Sequence, residues 1–127
     1  MAWGTTVVSD IKTFASAQTT WFTMQVSSTD IALALEPREL VHCQVIFDFP
    51  GTPTDDGEFQ VLASPDDGTT WDTIPIMAFT ADNGTDPNTV SFVISGYRYL
   101  RFQARLSGTT DTTTTCRLRY RKDGVAA

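Results

Sequence analysis

Over residues 40–49 apolar and polar positions alternate. Val41, Cys43, Val45, Phe47 and Phe49 fall on one side, and His42, Gln44, Ile46 and Asp48 on the other. Successive side chains of a strand point to opposite faces, so this period of two predicts a β-strand with one buried face. The strand ends in Pro50-Gly51-Thr52-Pro53-Thr54-Asp55-Asp56-Gly57, a run of turn formers that neither a helix nor a central strand absorbs. Alternation returns at Val90, Phe92 and Ile94. It returns again up to Leu106, where Leu100, Phe102, Ala104 and Leu106 oppose Tyr99, Arg101, Gln103 and Arg105. In a closing strand Cys116, Leu118 and Tyr120 face in and Arg117, Arg119 and Arg121 face out. Strands over 59–63 and 71–77 bring the count between residues 40 and 122 to six, and stretches 20–26 and 31–35 suit two more.

Between the strands at 59–63 and 71–77 lies Ser64-Pro65-Asp66-Asp67-Gly68-Thr69-Thr70-Trp71, which predicts a tight hairpin. Asp66 can bond its own backbone two residues on, Gly68 can take a positive φ, and Trp71 anchors the returning strand. The octapeptide resembles the Asp-box, a structural hairpin of sialidases and other β-proteins that carries no catalytic group, so it points to architecture and leaves activity open.

No window holds an amphipathic helix, and the 21 threonines suit pleated, half-exposed surfaces. The expected fold is all-β: an antiparallel sandwich of about eight strands, jelly-roll or immunoglobulin-like, with the topology left open. Its expected core includes Val41, Val45, Phe47, Val90, Phe92, Leu100, Phe102 and Leu118. Residues 1–19 scatter Trp3, Val7, Val8, Ile11 and Phe14 among polar residues and predict an extended N-terminal arm, leaving 20–127 as the single domain. An exposed arm of this composition needs a docking surface, so it is expected to pack against another subunit and to be removable without unfolding the sandwich.

Length and charge add limits. At 127 residues the chain is one domain, large enough for a core without staples. No apolar run approaches the roughly 20 residues of a spanning helix. Met1-Ala2-Trp3-Gly4-Thr5-Thr6 lacks the basic-then-apolar order of a leader, so the chain is expected to be made, and assembled, in a cytoplasm. A net charge of −6 argues against nucleic acid as partner. The charge is also divided: residues 1–87 hold 13 acidic and 2 basic side chains, and residues 88–127 hold 2 acidic and 7 basic ones. Basic strands can therefore meet acidic loops, within one copy or between copies.

Candidate chemistry is thin. His42 is the only histidine, placed mid-strand without a nucleophile-elbow pattern, and reads as a polar strand residue. Cys43 and Cys116 fall on apolar strand faces, where a free thiol acts as a small hydrophobe; they could pair across the core if their strands were opposed, but a cytoplasmic route favours the reduced form. The acidic loops Asp55-Asp56 with Glu58, Asp66-Asp67, and Asp82 with Asp86 lack the spacing of a calcium loop, and Asp beside Gly or Pro is turn chemistry first. No catalytic, metal or cofactor site is therefore expected. Arg117, Arg119 and Arg121, with Arg98, Arg101 and Arg105 expected on the strand before, form either a solvated face or a surface that meets carboxylates of a neighbouring subunit.

Several features together resemble small virion structural proteins of tailed bacteriophages. They are the acidic loop at 50–57, the hairpin at 64–71, the Ser95-Gly96-Tyr97-Arg98 lead into a strand, the Ser-Gly-Thr-Thr-Asp-Thr-Thr loop at 107–113, and the closing Arg117-Leu118-Arg119-Tyr120-Arg121. The resemblance covers residues 39–124. It implies a non-catalytic β-sandwich in the virion, a capsid decoration (cement) protein that binds the major capsid protein and copies of itself as a homo-oligomer such as a trimer. It implies no membrane, nucleic-acid or small-molecule partner. A tail, baseplate or head-to-tail component is the structural alternative. A carbohydrate-binding module stacking sugars on Trp21, Trp71 or Tyr97 is the alternative of another class.

Overall fold

The structure, a computed structural model, describes residues 2–14, 18–110 and 113–124. Every strand pairing in it is antiparallel. The long strands are β8 (Leu40–Asp48), β9 (Gly57–Ser64), β11 (Asn88–Ser95), β12 (Tyr99–Leu106) and β13 (Thr115–Gly124), with the shorter β10 (Met77–Ala81). The N-terminal third supplies two-residue pieces: β1 (Ala2–Trp3), β2 (Val7–Val8), β3 (Lys12–Thr13), β4 (Phe22–Thr23), β5 (Gln25–Val26), β6 (Thr29–Asp30) and β7 (Leu33–Ala34). No described helix is long and apolar enough to cross a membrane.

In the first sheet the order is β1, β13, β8, β11, and β2 and β3 continue β1 along the same side of β13. In the second it is β10, β9, β12, β4, with β7 continuing β4 along β12. Counting each interrupted edge as one strand gives eight. Their orders are first, eighth, third, sixth and fifth, fourth, seventh, second, the arrangement of a jelly roll. The expected sandwich is therefore present, with the jelly-roll topology that periodicity alone left open.

Apolar faces of the two sheets meet between the layers. Phe102 of β12 stacks on Tyr120 of β13 at 6.0 Å, and Phe59 of β9 meets Phe92 of β11 at 6.3 Å. Phe47 lies between Phe14 and Phe49, 6.5 and 6.0 Å away. Its ring also rests on Gly57 of the opposite sheet, where a Cβ would overlap it. Of the expected core, Val41, Val45, Phe47, Leu100, Phe102 and Leu118 are fully buried. Val90 and Phe92 are only half-buried, because β11 is an edge strand with a neighbour on one side alone.

Two parts differ from the sequence reading. Residues 2–13 are not an arm outside the domain: Trp3 pairs with Asp123, Val8 with Arg119 and Lys12 with Cys116 of the same chain. From Trp3 to Val7 the chain advances four residues while its partners recede three, and the same slip recurs between Val8 and Lys12, so two bulges break the edge. At the second, Ser9 donates its N–H to Leu118 O and accepts the Leu118 N–H on its hydroxyl, 2.8 and 2.9 Å, restoring what the ladder loses. The returning strand of the 64–71 hairpin also starts later than expected, at Met77. Residues 72 and 76 still donate to Ala63 O and Val61 O, but the chain bulges between them and pushes Ile74 into solvent.

Candidate interaction surfaces

Alternation along β13 and β8 sends Arg117, Arg119 and Arg121 to the outer face of the first sheet beside Ile46, Gln44 and His42. The next strand adds Thr89, Ser91 and Val93 in the same rows. Thr6, His42, Gln44, Ser91, Val93, Arg119 and Arg121 are among the residues lining an open trough of about 370 Å³ across this face. Arg119 Nη1 donates to Gln44 Oε1 at 3.4 Å. At one end His42 Nε2 lies 2.6 Å from Asp123 Oδ2 and Arg121 Nε lies 3.7 Å from Oδ1. Asp123 was not singled out from sequence. It continues the outward parity of the three arginines yet is buried, and the sequence signal for it was an acid closing a basic row.

The expected interface residues separate. Val8 and Ile11 keep 46% and 52% of their surface in solvent, and Val7 packs partly against the core. Phe14, expected to reach another subunit, is completely buried in its own chain, because the edge strand carries it between the sheets. The Trp3 side chain lies outside what the structure describes. Arg101 and Arg105 do not join the arginine row, since β12 belongs to the second sheet and points them to the opposite outer face.

On that second face each of these arginines lies over a tryptophan. Arg105 sits 4.1 Å from the Trp21 ring centre and pairs with Glu58 at 2.7 Å. Arg101 sits 4.5 Å from the Trp71 ring centre. Trp71 thus folds back over the outside of the sheet, and a Cβ on Gly68 would touch Trp71, Ala32 and Tyr99, so the whole turn is laid down there. Planar guanidinium on an indole face is a favourable contact, and in both tryptophans it occupies one face that a sugar would otherwise stack on.

Within the turn, Asp66 bonds its own backbone as expected but reaches further than two residues on, to Thr69 and Thr70. Oδ1 accepts the N–H of Thr70 at 3.0 Å, the N–H of Thr69 at 3.1 Å and the Ser64 hydroxyl at 2.8 Å, while Oδ2 accepts the Thr70 hydroxyl at 2.7 Å. Ser64 Oγ accepts the Gly68 N–H at 3.1 Å, and Gly68 has φ 87°. The Thr70 N–H above all, then the Thr70 and Ser64 hydroxyls, hold the Asp66 carboxyl well below the ordinary carboxylate range.

The remaining acidic loops gather at the end of the sandwich where β8, β10 and β12 finish. Asp55 accepts the Thr110 N–H at 2.9 Å, Asp56 the Asn83 N–H at 3.0 Å, and Asp86 the Phe49 N–H at 2.9 Å. These carboxylates tie one loop to the next, and no cluster of potential metal ligands occurs among the described residues. The thiols are both free and buried. Cys43 lies opposite Tyr120 and Cys116 opposite Phe47, four positions apart along adjacent strands, about 13 Å and too far to bridge. Burial pushes the Cys43 thiol up to about 12 and raises Cys116 as well, which makes both poor nucleophiles.

Compared with models of known families, with curated proteins and with solved structures, the chain finds no match.

Proposed function

We propose that the chain is a virion structural protein of a tailed bacteriophage, a capsid decoration protein that acts through contacts with the major capsid protein and with copies of itself. The observation that carries the reading is the outer face of the first sheet. It combines the Arg117, Arg119, Arg121 row with exposed Val8 and Val93 about a broad open trough. Arginine interleaved with apolar side chains on an extended surface suits a protein partner better than a small molecule, which asks for a concave enclosure. The jelly-roll frame supports it too, since its rigid outer faces present such a surface without induced folding.

Electron microscopy of the particles made by the encoding phage is the direct test, with density for the chain expected on the shell. Density confined to the tail would move the reading to a tail component, and its absence from particles would end the virion reading. Reversing Arg117, Arg119 and Arg121 to Glu is expected to lower shell affinity about ten- to hundredfold, as three rim ion pairs of up to about 1 kcal/mol each imply, and more steeply at low salt.

A further inference from the structure

The two lateral sides of the sandwich are built differently. On one side the N-terminal edge and the β5–β6 hairpin lock the sheets together: Asp10 N–H donates to Gln25 O at 2.8 Å, and Ser28 N–H donates to Asp10 Oδ2 at 3.0 Å. Lys12 of the first sheet lies 4.3 Å from the ring centre of Phe22 in the second. On the other side lie β10 and β11, and between them Phe79 and Phe92 meet edge to face at 6.3 Å without a covering segment among the described residues.

An open strand edge offers unpaired N–H and C=O groups to any other strand, and folded proteins blunt such edges with bulges, prolines, charges or shortness. Three of the four edges here are blunted. The β1–β3 edge carries two bulges, the β4–β7 edge is interrupted by the hairpin, and β10 is five residues long with Pro75 just ahead of it. The fourth, β11, has Pro87 just ahead of it but is open along its whole length. Its eight residues, Asn-Thr-Val-Ser-Phe-Val-Ile-Ser, run in unbroken register with β8 and contain no charge, proline or glycine. Within it Val93 is 53% exposed and just after it Tyr97 is 44% exposed, and Ile76, Met77, Val93, Ile94, Ser95 and Tyr97 line an open pocket of about 270 Å³.

We propose that β11 pairs antiparallel with β11 of a second copy about a two-fold axis, joining the first sheets of two chains into one continuous sheet. The charges flanking the strand select this occupant and this direction. Asp82 and Asp86 precede β11 and Arg98 follows it. Antiparallel pairing of identical strands brings the acidic lead of each copy beside Arg98 of the other, whereas a parallel arrangement would set like charges together. An isologous contact needs a self-complementary patch, and a neutral β-rich strand with opposite charges at its two ends provides one. The inference does not rest on the virion reading, because it concerns the free protein and is measured without any particle.

The test places like charges at the centre of the pairing. Ser91 is exposed in the single chain and lies near the middle of β11, so S91K and S91E leave the monomer's core untouched. Sedimentation of the full chain across a dilution series should show a dimer. Each variant alone should raise the dimer dissociation constant about tenfold or more, and an equimolar mixture of the two should recover the dimer. Hydrogen exchange should show β11 amides protected in the wild type and released in S91K, with the amides of β8 and β13 unchanged, which separates lost pairing from lost folding. A monomeric wild type, an assembly indifferent to both substitutions, or a mixture that stays monomeric would each overturn the proposal.

Discussion

At the scale of single residues, Phe47 shows how tightly the layers fit. It is fully buried between Phe14 and Phe49, and its ring occupies the space that a side chain at residue 57 would need. Truncation leaves a cavity lined by rings that cannot collapse, so Phe47→Ala is expected to cost about 3–5 kcal/mol in equilibrium urea unfolding. Gly57→Ala is expected to destabilise too, for the opposite reason: overpacking against the same ring, at about 1–3 kcal/mol. The two effects share one space, so adding Phe47→Leu to Gly57→Ala should cost less than the sum of the single changes. Strict additivity would show that Gly57 is required for some reason other than Phe47.

At the scale of elements, the turn from Ser64 to Trp71 depends on ionised Asp66, and pH should reveal it. The folded-state pKa of this carboxyl is depressed, so its contribution is complete above the unfolded value of about 3.9 and is lost as pH falls toward the folded one. The difference in melting temperature between wild type and Asp66→Ala should stay constant from about pH 8 to pH 5 and shrink below about pH 4. A difference unchanged down to pH 2 would mean that the charge does not hold the turn. This turn was legible because its bonds are local and each donor lies within four residues of Asp66. Strands β8, β12 and β13 were legible for a related reason: each has a neighbour on both sides and one buried face, so period two is written into their residues. The N-terminal edge was not, because each bulge adds a residue and shifts the phase of alternation between Trp3 and Val7 and between Val8 and Lys12. The start of β10 was missed because Trp71, an apolar anchor by composition, packs on the outside of the second sheet under Arg101 instead of opening the returning strand. The candidate surface was half legible: periodicity placed the arginine row, but which sheet holds Arg101 and Arg105 depends on topology, which no local pattern encodes.

At the scale of the whole molecule, the jelly roll makes the first strand and the last neighbours, so Ala2 pairs with Gly124 and the chain closes the first sheet with its own beginning. Taken as an arm, residues 2–14 should be removable from a folded monomer; taken as an edge strand, they should not. Their deletion strips the paired side of β13, leaves Leu118 N–H without the Ser9 hydroxyl, and takes Phe14 out of the core. Phe14 alone is expected to be worth about 3–5 kcal/mol, and the whole stability of a domain this size is about 5–15 kcal/mol. Removing residues 2–14 is therefore expected to abolish cooperative unfolding or to lower the urea midpoint by half or more, with Phe14→Ala giving an intermediate loss. Val8→Ser and Ile11→Ser, which touch only exposed side chains of the same N-terminal edge, should leave the unfolding free energy within about 0.5 kcal/mol of wild type. A truncated protein that melts like the full chain would show that the edge strand is an accessory to a sandwich already complete without it.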